Sequence, residues 1–131
     1  SLFSNNKDIT KITIPASIKE LSSNAFSGFD KLESITLNEG LLTIRNFAFS
    51  GCSNLKSIVI PKSVINIGER AFYKACIFNF DIPSTVKKIG ERAFGWSYLE
   101  TIVIRSKNIE HINDYMFRGC KHFKCRHQST I

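Results

Sequence analysis

The amino-acid sequence predicts an α/β solenoid dominated by short parallel strands, with little regular helix. Three observations lead there. Six phenylalanines, Phe3, Phe26, Phe49, Phe72, Phe94 and Phe117, recur at intervals of 23, 23, 23, 22 and 23 residues. Four of them follow an alanine (Ala25, Ala48, Ala71, Ala93), and the other two follow Leu2 and Met116. Between them the remaining apolar residues fall into one register five times over. A period of this size, held across 131 residues, marks stacked units that each bury a face on the next. Function is then expected on the exposed faces of the array.

The first strand of each unit is read from apolar residues two apart, as in Ile12 and Ile14, Ile58 and Ile60, or Ile102 and Ile104. That spacing points both side chains to one face. Strands of three to five residues cannot stand alone, so each must pair in parallel with its copy in the next unit, about 4.8 Å away. Pro15, Pro61 and Pro83 close the strand because proline cannot donate to a ladder. Asn38 and Arg105 stand in the same place in two units.

Spacings of three follow: Ile18 to Leu21, Val64 to Ile67, Val86 to Ile89. A helical turn or a second short strand would fit, and the β-branched content favours extended backbone. Gly68 and Gly90 then mark a bend into Glu-Arg-Ala-Phe. At most one turn is expected around each Ala-Phe pair, with alanine allowing close backbone approach and phenylalanine filling the centre. The chain divides into a partial unit 1–8, repeats 9–31, 32–54, 55–76, 77–98 and 99–122, and a decaying tail 123–131. In that tail Arg126 and Gln128 occupy places where isoleucine is expected. The whole reads as a single array, a fragment of a longer one, with end-to-end self-association expected of uncapped coils.

Residues 55–76, LKSIVIPKSVINIGERAFYKAC, carry a pattern Leu-x-x-Ile-x-Ile-Pro-x-x-Val-x-x-Ile-Gly-x-x-Ala-Phe-x-x-Cys. This resembles the BspA-like type of leucine-rich repeat, and the resemblance extends over about residues 2–123. It implies a curved right-handed superhelix with a parallel sheet on its concave side. Such repeats occur in surface proteins of bacteria and parasitic protists and are associated with adhesion and protein binding. The resemblance therefore implies a protein partner, such as an extracellular-matrix or host-cell protein, and a cell-surface or secreted location. An intracellular scaffold or structural spacer in the cytoplasm is the alternative.

Composition bounds the function further. The formal net charge is +7, and basic residues gather near the C-terminus as Arg118, Lys121, Lys124 and Arg126 with His122 and His127. Solvated loop charge accounts for them, because no nucleic-acid motif or stacked aromatic platform accompanies them. No nucleic-acid partner is expected. No apolar run reaches the length of a membrane span, so no membrane insertion is expected either.

Cys52, Cys76 and Cys120 are read at one repeat position, shared with Phe29 and Ser97, which makes them small core fillers. Cys120, His122, Cys125 and His127 place four possible zinc ligands within eight residues, but usual sites draw on two separated pairs. A local Cys120–Cys125 disulfide is the other reading of that run. No cofactor is called for. No catalytic constellation appears: His111 stands outward between Glu110 and Ile112, and Glu69 with Glu91 and Arg70 with Arg92 read as columns of lateral ion pairs across coils. The chain is not expected to be an enzyme.

Two surfaces are candidate binding sites. On the concave face the outward residues of the first strands are Lys11 and Thr13, Ser34 and Thr36, Ser57 and Val59, Asn79 and Asp81, and Thr101 and Val103. In the turn after Phe94, where, as after Phe72, one residue is missing, stand Trp96 and Tyr98, residue types enriched in binding hot spots. Leu42 and Ile65, on outward positions of the second segment, form a small apolar patch.

Overall fold

The computed structural model describes residues 7–107, 109, 114–117, 119 and 124–127, with the backbone alone at 114, 115 and 124–127. Among the described residues nine short strands appear: β1 Lys11–Thr13, β2 Glu20–Leu21, β3 Ser34–Thr36, β4 Thr43–Ile44, β5 Asn66–Ile67, β6 Asn79–Ile82, β7 Lys88–Ile89, β8 Thr101–Ile104 and β9 Lys124–His127. Among the described residues the only helical element is one 3-10 turn, Asp114–Phe117. The helical half of the α/β expectation is absent there, because no unit has room for more than one turn between its strands and its next Ala-Phe pair. The fold is a parallel-strand β-solenoid.

Every strand pairing is parallel and shifts by one repeat. Lys11, Ile12 and Thr13 pair with Ser34, Ile35 and Thr36. Leu21, Ile44, Ile67 and Ile89 form one continuous column of a second row, β2-β4-β5-β7. The spacing of three therefore marks a second strand.

A third ladder runs through the turns. The N–H of four spine phenylalanines donates to the carbonyl of the residue before the next one: Phe26 to Ala48 at 2.8 Å, Phe49 to Ala71 at 2.7 Å, Phe72 to Ala93 at 2.8 Å and Phe94 to Met116 at 3.0 Å. Buried Ala48, Ala71 and Ala93 leave the backbones free to approach. The rings stack as a result: Phe26–Phe49, Phe49–Phe72, Phe72–Phe94 and Phe94–Phe117 centroids lie 5.5, 5.2, 5.7 and 6.0 Å apart, all within 23° of parallel. Leucine, isoleucine and valine from both strand rows pack around this spine and close a single core.

The first row departs from expectation at the third coil. Its segments are β1-β3 and β6-β8-β9, and Lys56–Ile60 between them makes no backbone hydrogen bond to either neighbour. Two sequence features coincide with this break. Phe80 stands where the other coils carry Ile12, Ile35, Ile58 and Ile102, and its ring packs against both Phe72 and Phe94, with centroids 4.7 and 4.6 Å away. A ring needs more room in that column than an isoleucine. The turn from Phe72 to Ile77 is also one residue shorter than that from Phe49 to Leu55. Two ladders and the aromatic spine carry the solenoid through this coil.

The shortened turn corrects one reading. Phe29, Cys52 and Ala75 donate their N–H to Phe26, Phe49 and Phe72 in the same way, so Ala75 holds the core position assigned to Cys76. Ala75 is buried and Cys76 is half-buried. In β9, register pairs Ile102 with Cys125 and Ile104 with His127, so the isoleucine places fall one residue earlier than Arg126 and Gln128.

Candidate partner-binding surfaces

The repeat makes columns of outward side chains on the first-strand face. Lys11 and Ser34, and Thr13 and Thr36, are register partners, as are Asn79 and Thr101, and Asp81 and Val103. Ser57 and Val59 extend both columns across the unpaired third coil. All ten expected residues point outward, with Thr101 and Val103 half-covered.

Val59 is the outlier. It is 83% exposed, because no ladder holds its segment against a neighbour. Beside it opens a cavity of about 600 Å³ lined by Val59, Lys62, Asp81, Ser84 and Arg105 over Ile58, Ile60 and Pro83. Arg105 occupies the strand-ending proline place of its coil and reaches back across one repeat to Asp81. Its Nε and Nη2 donate to the two carboxylate oxygens at 2.6 and 2.8 Å. The hydrogen bonds from Arg105, helped by its charge, hold the Asp81 carboxyl below the usual carboxylate range. Next to this fork Thr101 Oγ1 donates to Asn79 Oδ1. The result is an apolar floor and one exposed aliphatic anchor beside a fixed pair of opposite charges.

Asn38 shows how a second proline place is served without proline. Its Nδ2 donates to the carbonyls of Ala16 and Ile18 at 3.2 and 2.9 Å, tying the second coil to the first.

The turn aromatics form the second surface. Trp96 and Tyr98 are 54% and 65% exposed, and with Phe78 they line a cavity of about 470 Å³. Phe78 was not among the candidates read from sequence. It sits in the column of Glu33, Lys56 and Glu100, where a lone aromatic among charges is the signal that marks it.

The glutamate and arginine columns do not pair across coils. Arg70 meets its own neighbour Glu69 at 2.6 Å, and Arg92 meets Glu91 at 3.8 Å. Both arginines have left-handed backbone, φ 51° and 56°, which turns each side chain back toward its own coil. Inter-coil ion pairs join Lys31 to Asp8, Arg45 to Glu20 and Arg105 to Asp81 instead. Leu42 and Ile65 are adjacent, Ile65 N–H donating to the Leu42 carbonyl at 2.8 Å, with Leu42 exposed and Ile65 half-buried.

Cys52 is buried, and its thiol donates to the Phe26 carbonyl at 3.2 Å. Burial pushes it up to about 12. Among the described residues no three His, Cys, Asp or Glu side chains converge on one point, and no helix is long and apolar enough to cross a membrane. Phe3, His111, Arg118, Cys120, Lys121, His122 and the side chains of Lys124, Cys125, Arg126 and His127 lie outside the described residues.

A sequence profile described as the BspA type leucine rich repeat region matches residues 1–124 in six copies. The chain belongs to the BspA-type leucine-rich repeat family. Solved structures agree on the fold. A leucine-rich repeat protein of Bacteroides ovatus is 28% identical, with a TM-score of 0.74 over 92% of this chain and 37% of its own. The T. pallidum leucine-rich repeat protein is 29% identical, with a TM-score of 0.81 over 90% and 56%. The pneumococcal vaccine antigen PcpA is 27% identical, with a TM-score of 0.78 over 94% and 32%. This BspA-type array thus spans between about a third and just over half of those chains. No curated protein matches it in sequence.

Proposed function

We propose that this BspA-type array is a non-catalytic protein-binding module of a surface-displayed adhesive or host-interacting protein. Its contact surface is the first-strand face, read as the concave side of a right-handed superhelix, with Trp96 and Tyr98 as a second contact. The observation that carries this reading is the site around Val59: an aliphatic side chain 83% exposed, beside a cavity whose rim is fixed by the Asp81–Arg105 fork. Such a site sets an exposed apolar side chain beside an arginine, a residue type enriched at protein interfaces. A repeat array supports it by presenting equivalent side chains at constant spacing over a broad surface. Likeness to a vaccine antigen, a molecule that antibodies must reach, favours display outside the cell. An intracellular scaffold is the alternative, and the location of the full-length protein separates the two.

The test is binding to a panel of extracellular-matrix and host-cell proteins by surface plasmon resonance. The wild type and the Val59→Glu and Asp81→Lys variants are compared. At least one partner is expected to bind the wild type, and each substitution is expected to weaken it about tenfold. Binding indifferent to both substitutions contradicts the assignment of this face.

A further inference from the structure

Among the described residues two positions break a column of glycines. Gly28, Gly51 and Gly119 each lie two residues after a spine phenylalanine, with φ of 76°, 78° and 87°. In the third and fourth coils the same left-handed position is held by Lys74 and Trp96, at φ 59° and 52°. Side chains are disfavoured there, and such strain persists only where the surroundings enforce it. Trp96 is enforced by its seat. A Cβ on Gly119 would come within 2.5 Å of Trp96 Cδ2, so the indole rests on bare backbone of the next coil. The ring is exposed yet held in place.

The rings of this flank follow a pattern. Lys56 Nζ sits 5.8 Å from the Phe78 centroid, Arg70 Cζ 5.7 and 5.8 Å from Phe47 and Tyr73, and Lys74 Nζ 5.6 Å from Tyr73. Among the described residues Trp96 and Tyr98, the most exposed aromatics, have no cation over them. Among the described residues Glu100 is the only charged one lining their cavity, and it has no ion-pair partner there. Indole and phenol faces attract cations, indole most strongly, and a carboxylate at the rim adds a charge-assisted hydrogen bond.

We propose that the rim of Trp96, Tyr98 and Glu100 receives a cationic side chain, arginine or lysine, of a partner protein. This rests on the reading of the rim as a partner contact and adds its chemistry. The charge complementarity is local. In a chain of net charge +7, a carboxylate lining one cavity with two exposed rings, and with no ion-pair partner among the described residues, is the place where a cation is favoured. A guanidinium can lie flat on the indole while its N–H groups reach the carboxylate.

Trp96 is the only tryptophan, so its fluorescence reports on the rim directly. The protein is titrated at low salt with the peptide Gly-Arg-Gly-Arg-Gly and with its uncharged citrulline counterpart. A saturable change in emission is expected with the arginine peptide, and about fivefold weaker binding with citrulline or in Glu100→Gln. The Val59→Glu variant is expected to respond like the wild type, since the strand face is elsewhere. Equal binding of the two peptides, affinity unchanged in Glu100→Gln, or no response to arginine peptide up to about 10 mM would each overturn the proposal. A protein partner whose binding depends on Trp96, alongside any of those results, would remove the cation assignment and leave the rim as a contact.

Discussion

Phe49 and Phe72, one repeat apart, lie with ring centroids 5.2 Å apart and planes 6° from parallel, while the N–H of Phe49 bonds to the carbonyl just before Phe72. Ring stacking and backbone ladder thus coincide in one column. Truncating Phe72 removes contacts with rings on both sides and with the edge of Phe80. Phe72→Ala is expected to cost about 3–5 kcal/mol, read from the urea midpoint, and Phe72→Leu clearly less.

The bend glycines are constrained by the neighbouring coil and not by φ. A Cβ on Gly68 would lie 2.5 Å from Asn46 Oδ1 and 2.6 Å from Asn46 N, with backbone on one side unable to yield. Gly68→Ala is therefore expected to lose roughly 1–3 kcal/mol, although alanine ordinarily improves on glycine by reducing the freedom of the unfolded chain. Thermal unfolding of the variant against wild type checks the sign.

Much of this architecture is legible in the sequence because the packing of a solenoid repeats with the chain. The aromatic spine, the parallel strand rows and the outward columns at Lys11, Ser34 and Asn79 all follow from period and alternation. The unpaired third coil does not. Ile58 and Ile60 show the same alternation as Ile12 and Ile14, and alternation reports which side chains face inward, not whether adjacent backbones come close enough to bond. The break coincides with Phe80 and a shortened turn one coil away, not with any change in the alternation itself. The Cys76 assignment slipped by one residue because the shortened turn offers two small residues, Ala75 and Cys76, and only backbone geometry says which takes the core. The pairing of Arg70 with Glu69 depends on a left-handed backbone that the arginine itself does not advertise.

Two thiols separate by environment. Cys52 is buried, with its pKa raised to about 12 by burial, while Cys76 is partly open to solvent. Maleimide labelling of the folded protein, mapped by peptide mass spectrometry, is expected to modify Cys76 and spare Cys52. Because the Cys52 pKa is raised by folding, its contribution to stability is complete below the unfolded value of about 8.5. It is lost as pH climbs from there toward 12, at up to ~1.4 kcal/mol per pH unit. Cys52→Ala should flatten that part of the alkaline stability profile relative to wild type.

Asp81 acts at the other end of the scale. Its pKa is lowered by hydrogen bonds from Arg105 and by the charge beside it. The contribution is therefore present above the usual carboxylate value of about 3.9 and is lost as pH falls through the lower folded value. Both side chains are about half exposed, so screening limits it to ~0.2–1 kcal/mol. Asp81→Asn should remove that fraction of the acid dependence, measured by urea unfolding between about pH 2 and pH 6.

Residue-resolved amide hydrogen exchange tests most directly whether three ladders bind the coils, with the first absent at the third coil. The N–H groups of Phe49, Phe72 and Ile65 are hydrogen-bonded to the next or preceding coil, and those of Lys56, Ser57, Ile58, Val59 and Ile60 are not. The first group is expected to exchange only on global opening, and the second on the order of a hundredfold faster. Free exchange at Phe49 and Phe72, or Lys56–Ile60 amides as protected as that of Thr101, would contradict it.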